Sequence, residues 1–129
     1  MFDIKLFQVC EASSGYCTGY HIYAGKIGGD LDNYCEGLEL NTDELSKTVI
    51  GLLCKCRLLN KGHRVYMDNY YSSPELLNKL ELLNTSACGT LRTNIVGCCR
   101  GNDGKKKLNR GERIFRRKDN LPLVKYHDK

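Results

Sequence analysis

The stretch Lys61-Gly62-His63-Arg64-Val65-Tyr66-Met67-Asp68-Asn69-Tyr70-Tyr71-Ser72-Ser73-Pro74-Glu75-Leu76-Leu77 decides how this chain is read. Val65 and Met67 are apolar at period two, the spacing of a short strand with one face inward, and Asp68 stands at its C-terminal tip. Ser73 is placed to cap a helix, with Pro74 at its first position and Glu75 complementing the dipole. A rigid strand that delivers a carboxylate to a loop is a favoured setting for catalytic and metal-binding acids. The simpler role for Asp68 is to cap the turn through Asn69 and Tyr70, and both readings are open on the residues alone.

Working outward, Ile4 to Cys10 reads as a strand buried on both faces, ending at Glu11. Ala12-Ser13-Ser14-Gly15 has turn chemistry, and residues 16–24 return as a second strand, forming a hairpin. Residues 25–40 are rich in Gly and acids and read as loop, with room for a short strand. Asn41 and Glu44 have capping-box spacing. Leu45, Val49, Leu52, Leu53, Cys56 and Leu59 then fall on one helical face, up to a stop at Asn60-Lys61-Gly62. The second helix runs from Pro74 to about Leu83 with Leu76, Leu80 and Leu83 inward, and residues 86–90 suit another strand. A Leu-rich helix between strands is the usual crossover of a mixed α/β fold.

From residue 97 to 118 the apolar pattern dissolves, while residues 113–117 and 121–126 suit two short strands around Lys118-Asp119-Asn120. Residues 1–96 thus read as a partial core, and residues 97–129 as a basic loop and short strands of the same domain. Charge divides similarly: residues 1–90 hold eight Lys and Arg against eleven Asp and Glu, and residues 91–129 hold twelve against four. Lys105, Lys106, Lys107, Arg116, Arg117 and Lys118 are the candidate phosphate contacts, because each neutralised phosphate releases counterions. A solvated loop has the same composition. Tyr70 and Tyr71 could stack on an unpaired base, although covering the core beneath a turn is the more ordinary use of such rings.

At 129 residues the chain suits one domain or part of a larger one. No apolar run approaches the roughly 20 residues of a membrane span, and the start is no secretory leader. That points to an intracellular protein, without a membrane, whose eight cysteines are mostly reduced. Their spacing lacks the paired arms of a zinc module, though a local zinc site or disulfides are the alternatives. Nothing brings a His to a Ser or Cys nucleophile.

The chain resembles the piggyBac-like transposases and the piggyBac transposable element-derived proteins. The Asp68-Asn69-Tyr70-Tyr71-Ser72-Ser73 segment carries the resemblance best. Residues 4–10, Ser14-Gly15-Tyr16, residues 22–26, residues 87–92, 111–117 and 123–129 match other parts of that domain in order. The resemblance implies an RNase H-like mixed sheet with crossover helices, incomplete at the C-terminal end, whose first and fourth strands lie side by side and bring their acids together. It implies a DDE domain in which three acids hold two divalent cations, Mg²⁺ or Mn²⁺, for DNA strand cleavage and transfer in cut-and-paste transposition. Asp68 matches the second acid. Glu11 stands where the family has its first Asp, one methylene longer, and no residue matches the third. The resemblance therefore implies weak metal binding and a fragment inactive by itself. Its partners would be DNA, as transposon ends or non-specifically, and a transposase or transposase-derived protein; its place would be the nucleus. The alternative is a non-catalytic module binding DNA or a transposase through the basic C-terminal third.

Overall fold

The computed structural model describes residues 4–23, 31–39, 41–92 and 106–128. Strand β1 (Lys5–Cys10) and strand β2 (Cys17–Tyr23) form an antiparallel hairpin, with Phe7 opposite His21 and Cys10 opposite Cys17. Gly15 takes φ +72 in the turn, a conformation open to glycine at no steric cost. Only one face of this hairpin is inward, through Phe7 and Val9, while Leu6 and Ile22 are about half exposed on the other. The expectation of a strand buried on both faces is corrected: no second layer of described residues covers the outer side. A 3-10 turn (Asp32–Tyr34) is the element found in the described part of the following loop; residues 24–30 lie outside the described residues.

Helix α1 (Glu44–Lys55) starts two residues later than the capping-box spacing suggests. Asp43 is the N-cap, accepting from the backbone N–H groups of Leu45 at 3.2 Å and Ser46 at 3.1 Å. The helix also ends before the Asn60-Lys61-Gly62 stop. Leu58 N–H donates to Leu53 C=O at 2.9 Å and Arg57 N–H to Cys54 C=O at 2.8 Å, the bond pair of a Schellman ending. Arg57 occupies the left-handed position, φ +56, where glycine is usual. Ile50 and Leu53 on this helix are almost wholly buried.

Strand β3 (Arg64–Met67) and helix α2 (Pro74–Leu82) form as the central stretch led one to expect, and strand β4 (Ser86–Gly89) follows within residues 86–90. The strands are parallel, with Met67 opposite Gly89, as a helical crossover requires. Ser73 caps α2, its hydroxyl accepting from Leu76 N–H at 3.1 Å, and Pro74 occupies the first turn. Leu76 and Leu80 have no exposed surface and meet Ile50, Leu53 and Cys35 in the core. Full burial of such a side chain contributes about 1.5–3 kcal/mol, so these five residues fix how α2 sits on α1.

Strand β5 (Arg113–Lys118) and strand β6 (Leu121–Tyr126) pair antiparallel around Asp119 and Asn120. The described strands thus make three two-stranded sheets, and no ladder joins β1 to β3 among the described residues. The side-by-side placement implied for the first and fourth strands is absent as hydrogen-bonded pairing; packing through Val9, Val65 and Met67 onto a shared core takes its place.

Candidate functional site

Asp68 leaves the end of β3 at an exposed position. One carboxylate oxygen accepts from Tyr70 N–H at 2.9 Å, closing an Asx turn. Its backbone carbonyl accepts from both the N–H of Ser72, at 3.1 Å, and the Ser72 hydroxyl, at 2.8 Å. Ser72 is buried beside Gly89, where an added Cβ would lie 2.9 Å from the Met67 carbonyl and closer still to the Ser72 side chain. Glycine is required there because β4 passes directly under the turn that holds Asp68. The turn-capping role is therefore real, yet it uses one oxygen and leaves the other without a hydrogen bond among the described residues.

Tyr71 lies on the inner side of the same turn, edge-on to Phe7 with ring centroids 6.0 Å apart and to Tyr70 at 5.1 Å. Burial raises its phenol pKa first, with the Asp68 charge adding to the shift. Tyr71 thus covers the core, whereas Tyr70 is more exposed and has the Lys5 ammonium 5.8 Å from its ring centre.

Glu11 follows β1 at an exposed position, and its carboxylate bends back onto its own turn. Ser13 donates to one oxygen at 2.6 Å and Ser14 makes a short hydrogen bond to the other. These hydroxyls, Ser13 first, hold the carboxyl below its ordinary pKa. Glu11 N–H also donates to Tyr16 C=O, and Gly15 N–H to Glu11 C=O, each at 2.8 Å.

The two acids border one cavity of about 510 Å³, lined by consecutive residues at the ends of β1 and β3 and floored by Thr48, Val49 and Leu52 of α1. Two hard oxygen donors suit Mg²⁺ or Mn²⁺ in kind. In number they form a half-site. No group of three His, Cys, Asp or Glu side chains able to hold a metal occurs among the described residues, and each Glu11 oxygen already accepts one serine hydroxyl.

The model of the family Transposase IS4 matches residues 1–129. The chain belongs to this family, the piggyBac-type transposases. A cryo-EM structure of the piggyBac transposase synaptic complex with hairpin DNA is similar at TM-score 0.74 and 22% identity, over 98% of this chain. At that identity the likeness speaks to the fold, and it covers 24% of the larger chain. The DDE transposase family typically uses a divalent metal, which agrees with the acidic chemistry of Glu11 and Asp68.

The basic candidates divide in this transposase-family chain. Lys105 lies outside the described residues. Lys106 and Lys107 are exposed beside β6, where the Lys106 carbonyl accepts from Lys125 Nζ at 2.7 Å and the Leu108 carbonyl meets His127 Nδ1 at 2.8 Å. Arg116, Arg117 and Lys118 are exposed along β5, but the strand alternation sends Arg116 to one face and Arg117 to the other. Arg117 Nε donates to the Asp119 carbonyl at 2.8 Å at the hairpin turn.

The six described cysteines are free thiols; Cys98 and Cys99 lie outside the described residues. Cys54 is pushed up to about 12 by burial, with Cys35 beside it. Sequence reasoning missed the serine clasp on Glu11, for which Ser13 and Ser14 were the visible signal. It also missed Gly89, whose role depends on a parallel ladder that local sequence does not encode.

Proposed function

We propose that the chain forms the part of a piggyBac-type DDE transposase domain that supplies the first two acidic positions, Glu11 and Asp68, within an RNase H-like architecture. The single observation that carries this reading is the shared cavity at the ends of β1 and β3, with both carboxylates on its border. Glu11 and Asp68 would hold a divalent cation, Mg²⁺ or Mn²⁺, whose chemistry is to activate a water or 3′-hydroxyl and stabilise the leaving oxygen of a phosphodiester.

The chain's own contribution is positional. The β3–α2–β4 unit fixes Asp68, Tyr71 closes the inner wall, and Glu11 is stored on Ser13 and Ser14 until a cation competes for it. With two acids, one of them engaged, binding is weak and strand cleavage by the chain alone is absent, because two-metal chemistry needs a fixed third ligand. The DNA partner would lie against the basic C-terminal third, in the nucleus.

A second reading, a non-catalytic module that binds DNA or a transposase, is favoured by Lys106, Lys107, Arg116, Arg117 and Lys118 being exposed around one hairpin. Calorimetric titration with Mn²⁺ tests the first reading. A weak site in the native chain that disappears in Asp68→Ala and weakens in Glu11→Ala supports it. Equal Mn²⁺ binding in native and Asp68→Ala protein, with DNA binding retained, leaves the module.

A further inference from the structure

The two hairpins differ on their outward faces. On β1–β2 the exposed row is Leu6, Tyr20 and Ile22, without a cation. On β5–β6 the register puts Arg113 opposite Tyr126, Phe115 opposite Val124, and Arg117 opposite Pro122 on one face. Phe115 is 61% exposed, Tyr126 70% and Val124 54%, while Ile114, Leu121 and Leu123 turn partly inward on the opposite face. Arginines thus bracket an exposed aromatic surface, and no carboxylate belongs to that row.

Beside Phe115 and Tyr126 lies a recess of about 350 Å³, bordered also by Gly111 and Asp128. Glu112 borders it too, but its carboxylate is engaged by the N–H and Nδ2 of Asn109 at 2.8 and 3.1 Å.

We propose that this face binds unpaired nucleotides, with Phe115 and Tyr126 stacking bases while Arg113 and Arg117 meet phosphates. The inference rests on the reading that the basic C-terminal third contacts DNA, and it specifies which form of DNA. A closed duplex hides its base faces in its own stack, so flat exposed rings gain from it far less than from a single strand. Phe115 and Tyr126 are diagonal neighbours across the ladder, with Cα atoms roughly 7–8 Å apart. That separation suits successive bases of an extended strand better than the ~3.4 Å rise of stacked DNA. Complementary charge favours a polyanion over a protein surface, since Arg113 and Arg117 lie in the row; Lys106 is tied to Lys125, which belongs to the opposite face. The row of Leu6, Tyr20 and Ile22 on β1–β2 has no such bracket.

Fluorescence anisotropy with a labelled 12-nucleotide oligo-dT and a blunt 12-base-pair duplex, at fixed salt and on the whole chain, tests this. The native protein should prefer oligo-dT. Phe115→Ala/Tyr126→Ala should weaken oligo-dT binding roughly 10- to 100-fold while changing duplex binding less than about twofold. Phe115→Tyr/Tyr126→Phe should restore the preference, which separates stacking from misfolding, and circular dichroism checks each variant. Arg113→Ala/Arg117→Ala should weaken both forms and flatten the salt dependence. Unchanged oligo-dT affinity in the folded alanine variant overturns the proposal, as does equal weakening of both forms. Self-association that vanishes in the alanine variant without an effect on DNA also overturns it, making the face a contact between copies. Duplex binding without single-strand preference sinks this inference alone. Failure to bind either form also removes the DNA reading beneath it.

Discussion

The two acids of the candidate site arrive on supports of different stiffness. Asp68 ends a strand whose parallel partner, crossover helix and N-cap are all in place, with Leu76 and Leu80 fully buried beneath it. Glu11 ends a two-stranded hairpin with one covered face, and its carboxylate is satisfied by Ser13 and Ser14 in its own turn. One acid is held by the fold and the other by its neighbours in sequence. An isolated hairpin is marginal in water, whereas a strand–helix–strand unit closed on a core is not. The site's precision should therefore come from the Asp68 side, and its adaptability from the Glu11 side.

The strongest way to break this contrast is to remove core beneath Asp68. Leu80→Ala should destabilise the chain by about 2–5 kcal/mol in urea unfolding. Phe7→Ala should cost less than Leu80→Ala, since its ring lies at the covered edge of the hairpin. Equal losses would mean that the two supports are not different in kind.

A finer test uses two glycines. At Gly89 an added methyl meets Ser72 and the Met67 carbonyl, so Gly89→Ala should cost about 1–3 kcal/mol and shift the Tyr70 and Ser72 amide resonances. Gly15 has nothing within 4 Å of an added Cβ, and its cost comes only from φ +72. Gly15→Ala should therefore cost on the order of 1 kcal/mol and leave the Asp68 turn unmoved. Amide shifts at residues 68–72 in Gly15→Ala would contradict the separation.

The smallest expected effect is electrostatic. Serine hydroxyls lower the folded-state pKa of Glu11, so the stability this gives is present above the ordinary carboxylate range and is lost as pH falls through the lowered value. Ser13→Ala/Ser14→Ala should raise the Glu11 midpoint toward its ordinary value in an NMR titration. An unchanged midpoint would mean that the clasp does not form in solution.

Much of the Asp68 support was legible in the sequence because its signals are local. Period-two apolar residues, Ser73 before Pro74 and the Leu spacing of α2 each act within a few residues. The ends of α1 misled for equally physical reasons. Asn41 and Asp43 are both good caps, and Asp43 won by reaching two N–H groups; the C-terminal stop is Arg57 in a conformation usually given to glycine. What could not be read is non-local. Whether β1 pairs with β3, which face of each hairpin turns outward, and what Gly89 meets all depend on register between distant segments. The consecutive Arg116 and Arg117 looked like one basic cluster, yet strand alternation divides them. Glu11 was named only through the family resemblance, and the hydroxyls of Ser13 and Ser14 that hold its carboxylate were not read.

The proposed convergence of Glu11 and Asp68 on one cation can be read from paramagnetic broadening by substoichiometric Mn²⁺. Amide signals at both turns, residues 11–15 and 68–72, should broaden selectively, and both effects should be lost in Asp68→Ala. Broadening confined to one turn, or persisting at Glu11 without Asp68, would show that the two acids do not share a site.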